Sequence, residues 1–349
     1  MPQNELTRGA PVTLRGLLTH GAGLTVRGFP GYTAGETVPT LLQVLDGSGP
    51  ANSAPIRVEA VPGSRYSYSG GGYVVLQQLL EEVTGRPFDG LLQETVLDRI
   101  GMAHSTFEQP LPARCRVLAA TGHRPDGPPV AGRWHTYPEM AAAGLWTTPG
   151  DLAPFALELM RARKGEASRV LSPGMAREMP RPHIGRWGLG LAVEGDGAAL
   201  RLLHEGWNQG FRGLMVAFLE TGQGAVVMTN SDNVDLLWEI AIGIAGVYGW
   251  PDLHPEEKVL AAVDPGLYGE FEGRYRPADD PEADFVITRE GPRLLIYDPY
   301  RCNTFDLYPL SEARYVRLED GMELEFARGE EGRVGELVVG GDWTAKRVE

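Results

Sequence analysis

Near residue 250 the chain changes texture. Before it, apolar residues recur at helical spacing between glycine-rich turns; after it, short apolar runs separated by turn residues repeat at regular intervals. Between the two lies the stretch from Trp250 to Pro265, with prolines at 251, 255 and 265. Proline fixes φ and offers no N–H, so this stretch is predicted to be a linker rather than a helix or an inner strand. A single core rarely grows past about 250–300 residues. The 349 residues are therefore expected to form a large domain over 1–260 and a small one over 266–349.

In the first part, residues 11–24 read as a short helix ending in a glycine turn, and 29–72 as mostly loop. From Tyr73 the spacing of Val74, Leu76, Leu79, Leu80 and Val83 predicts a helix that Gly85 and Pro87 stop. Phe88 to Ile100 reads as a second helix, 107–137 as loop, and Thr148 to Arg163 as a helix with Thr148 as its N-cap and Pro149 at its first position. Strands are predicted at Trp187–Val193, Leu200–His204, Gly213–Glu220 and Gly224–Asn230, then a helix over Val234 to Tyr248. Seven short strand candidates beyond residue 266, with turns such as Glu290-Gly291 and Asp320-Gly321, predict a small antiparallel barrel or sandwich.

Charge and composition exclude several functions. The net charge is −14, from 32 basic and 46 acidic residues, which argues against a nucleic-acid or anionic-membrane surface. No apolar run reaches the roughly 18–20 residues of a spanning helix; the longest, Leu236 to Tyr248, contains Glu239 and two glycines and reads as buried. The first sixteen residues carry no signal-peptide pattern. As it stands the chain is expected to be cytoplasmic, or periplasmic or extracellular if a preceding segment carried a signal. Cys115 and Cys302 are read as isolated thiols, with one disulfide as the alternative. No metal-ligand spacing occurs, and no metal or organic cofactor is expected.

Three segments stand out chemically. Tyr66-Ser67-Tyr68-Ser69-Gly70-Gly71-Gly72-Tyr73 places tyrosines at a helix N-terminus, where exposed N–H groups and helix polarity can lower a phenol's pKa; the alternative is a glycine turn packed by tyrosine. His204-Glu205-Gly206-Trp207, followed by Asn208-Gln209-Gly210-Phe211, can aim an imidazole and backbone N–H groups at one point. Ala141 to Thr148 is a run of small residues entering a capped helix, a pattern more often structural. Trp134-His135 is a candidate cleft rim or a packed aromatic, Tyr137 and Glu139 are candidates for the pocket lining, and His20 reads as a structural histidine bonded to backbone.

The order and spacing of these segments carry more than any one of them. With Leu17 to Leu24 (LLTHGAGL), the segments YSGGGY (68–73), AAGLWTTPGDL (142–152) and HEGWNQGF (204–211) resemble the serine β-lactamase-related superfamily: class C β-lactamases, penicillin-binding DD-peptidases and their esterase relatives. The helix YVVLQQLLEEVTGRPF is similar as well, and the likeness covers roughly residues 10–250. The resemblance implies an α/β (α+β) fold, an antiparallel sheet flanked by helices, and the C-terminal residues resemble a lipocalin-like β-barrel. It also implies a serine that attacks an acyl carbonyl, with a lysine three residues later and a tyrosine sharing proton transfer. Carried over, Tyr68 is the tyrosine base, His204 takes the place of the basic residue in the third motif, and the main-chain N–H of Trp207 is half of the oxyanion hole. Gly70, Gly206, Trp134 and Asn208 are expected around a peptide or small-molecule substrate.

Two departures follow. Gly70 stands where the family has an asparagine. The nucleophile motif, S-x-x-K, is missing: the chain has only Lys164, Lys258 and Lys346, and three residues before them stand Arg161, Pro255 and Trp343. Two expectations stay open: a nucleophile segment upstream of this sequence, or an inactive relative that binds a ligand in a retained cleft. In both, this polypeptide by itself is expected to form no acyl-enzyme.

Overall fold

The computed structural model describes all residues except 1–3, 126, 167, 234, 256, 278–282, 300–302, 330–331, 341–342 and 349. Two compact units emerge. One comprises Met1–Asn233 and Glu239–Leu253, the other Val234–Trp238 and His254–Glu349.

In chain order the helices are α1 (Leu14–Leu18), α2 (Leu41–Asp46), α3 (Gly70–Thr84), α4 (Phe88–Leu92), α5 (Asp98–Ile100), α6 (Ala113–Arg116), α7 (Met140–Ala143), α8 (Pro149–Arg163), α9 (Pro173–Glu178) and α10 (Asp235–Tyr248). Four antiparallel strands, β1 (Ala192–Glu194), β2 (Arg201–Asn208), β3 (Phe211–Phe218) and β4 (Gly224–Thr229), form a sheet in that order. Ala156, Leu159 and Met160 of α8 pack on Leu202, Met215 and Ala217, which share one face of the sheet by the two-residue period. A second core joins Leu17, Leu24, Val44, Ile56, Val58 and the α3 residues Val74 and Val75. Among the described residues no helix is long and apolar enough to cross a membrane.

Several local expectations change. α3 starts at Gly70, not Tyr73, because Ser69 caps it: the Ser69 Oγ accepts from the Gly72 N–H at 3.0 Å. The loop expected over 29–72 contains α2, fixed by a capping box in which Thr40 and Gln43 satisfy each other's backbone N–H groups. The helix predicted over 88–100 is broken by a π-helical turn, Gln93–Leu97. The strand predicted at 187–193 shrinks to Ala192–Glu194. Gly188 lies against the Met179 carbonyl, where a Cβ would come within 2.1 Å, and this close approach bends the chain away from a ladder. Thr148 and Pro149 begin α8 as expected. Residue 234, the predicted start of the last helix, and Cys302 lie outside the described residues; Cys115 is a free thiol.

In the second unit β5 (Gly273–Pro277), β6 (Phe285–Glu290), β7 (Arg293–Asp298), β8 (Asn303–Pro309), β9 (Arg314–Val316), β10 (Glu323–Arg328), β11 (Val334–Val339) and β12 (Trp343–Arg347) each pair antiparallel with the next. β12 pairs back onto β5, so the barrel is closed and leaves no strand edge. Its core is built from side chains such as Phe271, Tyr275, Phe305, Tyr315 and Phe326, each worth about 1.5–3 kcal/mol on burial. The buried Arg317 guanidinium donates to Asp298 and to both oxygens of Asp320 and lies 4.5 Å from the Phe305 ring centroid.

Candidate functional site

The loop from Thr19 to Arg27 wraps the N-terminus of α3. The Ser67 N–H donates to the His20 carbonyl, the Gly70 N–H to the Arg27 carbonyl and the Gly71 N–H to the Val26 carbonyl. The Ser69 hydroxyl donates to the Thr25 carbonyl at 2.7 Å, and the Ser69 N–H to His20 Nδ1 at 3.1 Å. That bond places the imidazole proton on Nε2. His20 and Val26 hold positive φ, 55° and 65°. For a β-branched residue this is a strained conformation. It aims successive carbonyls at the helix start.

These bonds favour one of the two readings of this segment, the glycine turn packed by tyrosine. The N–H groups of the first turn are taken by loop carbonyls and by Ser69, so they do not act on a phenol. Burial pushes the Tyr68 phenol above its ordinary pKa, with Arg27 pulling weakly the other way. Tyr73 is raised by burial and by Tyr68, and its hydroxyl donates to the Leu18 carbonyl. Gly70 is buried; a Cβ there would lie 3.0 Å from the Arg27 carbonyl and 3.3 Å from the Phe29 ring. Its lack of a side chain admits that packing.

Around Tyr68 the rings touch one another. His20 lies 4.1 Å from Tyr68, centroid to centroid, 4.6 Å edge-on from Trp187 and 5.4 Å from Tyr73. Trp187 stacks on Tyr66 at 5.9 Å and meets His204 edge-on at 5.9 Å. Tyr68 and His204, paired by motif, are thus bridged by Trp187. Burial and then His204 lower the His20 pKa to about 3, and burial lowers that of His204. At neutral pH both imidazoles are uncharged and the phenols keep their protons.

The third motif lies on β2. The Leu219 N–H donates to the Leu200 carbonyl, and antiparallel alternation then makes His204/Met215 and Gly206/Gly213 hydrogen-bonded pairs and Trp207/Arg212 a non-bonded one. The Phe218 N–H, donating to Gln223, agrees with this register. Glu205 and Trp207 therefore turn their backbone N–H and C=O groups to the other edge of β2. β1 covers that edge opposite Arg201–Leu203, and no described strand covers it opposite 205–207. A Cβ on Gly206 would approach only the Gly213 carbonyl, at 4.0 Å, so the strand surface there is open.

The tip of the β2–β3 hairpin is pinned. Asp232, which motif reading missed, is buried and accepts from the Gly210 N–H at 2.9 Å, Trp207 Nε1 at 3.0 Å and Gln209 Nε2 at 3.2 Å. The Tyr137 hydroxyl accepts from the Gln209 N–H at 2.9 Å, and burial pushes its pKa up to about 12. Gly210 has φ +80°, and a Cβ there would lie 2.5 Å from Val130 and 2.8 Å from Gly122, so the turn requires glycine twice over. The Asn208 amide donates to the Ala143 carbonyl at 2.8 Å, tying the hairpin to α7. Trp134 packs edge-on against Trp146 with the Arg133 guanidinium over its ring. Glu139 lies buried at the start of α7. Trp187 was also missed; its only signal was aromatic character beside glycine.

The site thus offers an aromatic wall, neutral hydrogen-bonding groups and a stretch of β2 that no described strand pairs on its outer side, with the Trp207 N–H turned outward. A family profile described as Beta-lactamase matches residues 2–239. The D-alanyl-D-alanine-carboxypeptidase/endopeptidase AmpH of Escherichia coli (strain K12) is 30% identical over 98 residues, 28% of this chain and 23% of that protein, so the match spans under a quarter of the relative. Among solved structures, SurE with D-Leu is 21% identical at TM-score 0.57, covering 99% of this chain and 80% of that one. The octameric penicillin-binding protein homologue from Pyrococcus abyssi is 20% identical at TM-score 0.59, covering 97% and 78%. At these identities the structural likenesses show the fold.

Proposed function

This chain belongs to the Beta-lactamase family, and from that premise we propose that it binds a peptide, amide or ester ligand along the open edge of β2 without forming an acyl-enzyme in this polypeptide. The family is one of hydrolases acting on acyl groups, and AmpH by its name acts on D-alanyl-D-alanine, so short peptides ending in D-alanine are the first ligands to test. In this reading the Trp207 N–H meets the ligand's carbonyl oxygen, Gly206 leaves room for it, and Tyr68 and His204 act as neutral hydrogen-bonding groups. Gly70, Trp134 and Asn208 shape the surroundings through packing and through the hairpin.

The observation that carries the reading is that none of the three lysines stands three residues after a serine. The Tyr68 environment supports it. A general base near neutral pH needs a lowered phenol pKa, and here burial beside neutral imidazoles raises it. We read residues 1–260 and 266–349 as separate domains and the second as lipocalin-like, on the strength of its up-and-down closed barrel.

The test is mass spectrometry after incubation with a penicillin and with a fluorophosphonate, alongside calorimetry with N-acetyl-D-alanyl-D-alanine. The expected result is an unmodified mass together with saturable peptide binding. A covalent adduct would overturn the claim that no acyl-enzyme forms, and absence of binding would overturn the ligand class.

A further inference from the structure

Trp207 is 56% exposed, yet its indole is fixed. Nε1 donates to the buried Asp232 carboxylate at 3.0 Å, and the Arg212 guanidinium lies 4.0 Å from the ring centroid, held in turn by its Nε donating to the Asp232 carbonyl at 3.2 Å. An indole whose polar atom is already satisfied presents only apolar surface to a ligand. Fixing it beforehand removes the ordering entropy that a mobile side chain would lose on binding.

Its position relative to β2 decides what it can meet. His204 and Gly206 project to one face of the sheet and Trp207 to the other. An extended ligand paired to the open edge alternates its own side chains in the same way. One neighbour then falls over Gly206, where a Cβ would meet nothing nearer than 4.0 Å, and the next falls beside the indole.

We propose that the Trp207 side chain is a specificity-determining platform that receives an apolar or aromatic side chain of a peptide or acyl-amino-acid ligand lying along the open edge of β2. This rests on the reading of that edge as the ligand cleft. It assigns Trp207 two separable contributions, since the main-chain N–H serves any ligand and the indole selects among them.

The experiment is calorimetry with the full chain and two probes, N-acetyl-D-alanyl-D-alanine and N-acetyl-D-phenylalanyl-D-alanine. The expected preference for the phenylalanyl peptide is about 5–10-fold, the scale of one aromatic contact. Trp207→Ala should bring the ratio of the two affinities to about 1, and Trp207→Phe should keep most of it. Equal affinities in the unmodified chain, or a preference that survives Trp207→Ala, would overturn the platform while leaving the cleft reading intact. If neither peptide binds the unmodified chain, the cleft reading fails and the platform fails with it.

Discussion

Glu139 has no solvent exposure, and neither carboxyl oxygen has a hydrogen-bond partner among the described residues. Burial pushes its pKa up to about 7. A folded value above the unfolded one means that the native state binds the extra proton between pH 4.5 and about 7. Stability from this group is therefore full below pH 4.5 and lost as pH rises through 7, by at most about 3 kcal/mol. His20 has the opposite sign. Its pKa falls from 6.5 to about 3, so its contribution is full above pH 6.5 and lost as pH falls toward 3. Denaturant titrations from pH 4 to 9 should show Glu139→Gln flattening the neutral side of the profile. His20→Asn, chosen because Asn tolerates positive φ, should flatten the acid side. A profile unchanged by both would show that neither burial persists in solution.

At the scale of elements, the first turn of α3 sets adjacent glycines against each other. Ala normally exceeds Gly in a helix by about 1 kcal/mol. A Cβ on Gly71 would lie 2.7 Å from the Thr25 carbonyl and 3.1 Å from Ile56, whereas one on Gly72 meets nothing nearer than 3.6 Å. Thermal melts should therefore show Gly71→Ala destabilising the protein and Gly72→Ala neutral or stabilising; equal shifts would refute the packing. Ser69→Ala should cost about 1 kcal/mol as a lost cap. This turn also shows what was legible in the sequence. The helix that follows, its stop at Gly85 and the Thr148 cap of α8 are local signals, readable from period and capping chemistry. That the glycines are helical depends on carbonyls supplied by residues 25–27, more than forty positions away. The motifs on β2 and α3 were visible by resemblance. Trp187, which joins them, and Asp232, which pins the tip of the β2–β3 hairpin, touch their partners only in three dimensions and carry no sequence pattern.

At the scale of the molecule, two compact units imply two melting events. Arg317 is the clearest probe, because removing its guanidinium breaks its buried ion pairs with Asp298 and Asp320 in the barrel, a loss on the order of 3–5 kcal/mol. Calorimetry of Arg317→Leu should lower one transition and leave the other in place; a joint shift would mean that the units unfold as one. Chymotrypsin should cut first near Leu260, an exposed residue in the linker, and release two fragments.

The closure of the barrel has a topological consequence. The Val348 N–H donates to the Arg274 carbonyl, so the last strand ends beside the first residues of β5. In hydrogen-bonding terms the eight strands form a cycle with no privileged starting point. A permuted unit, joined from residue 348 to residue 265 by a few glycines and opened at the Asp320-Gly321 turn, would keep every strand neighbour it has now. The linear order of this part of the chain is then one of several cyclic readings of the same ring.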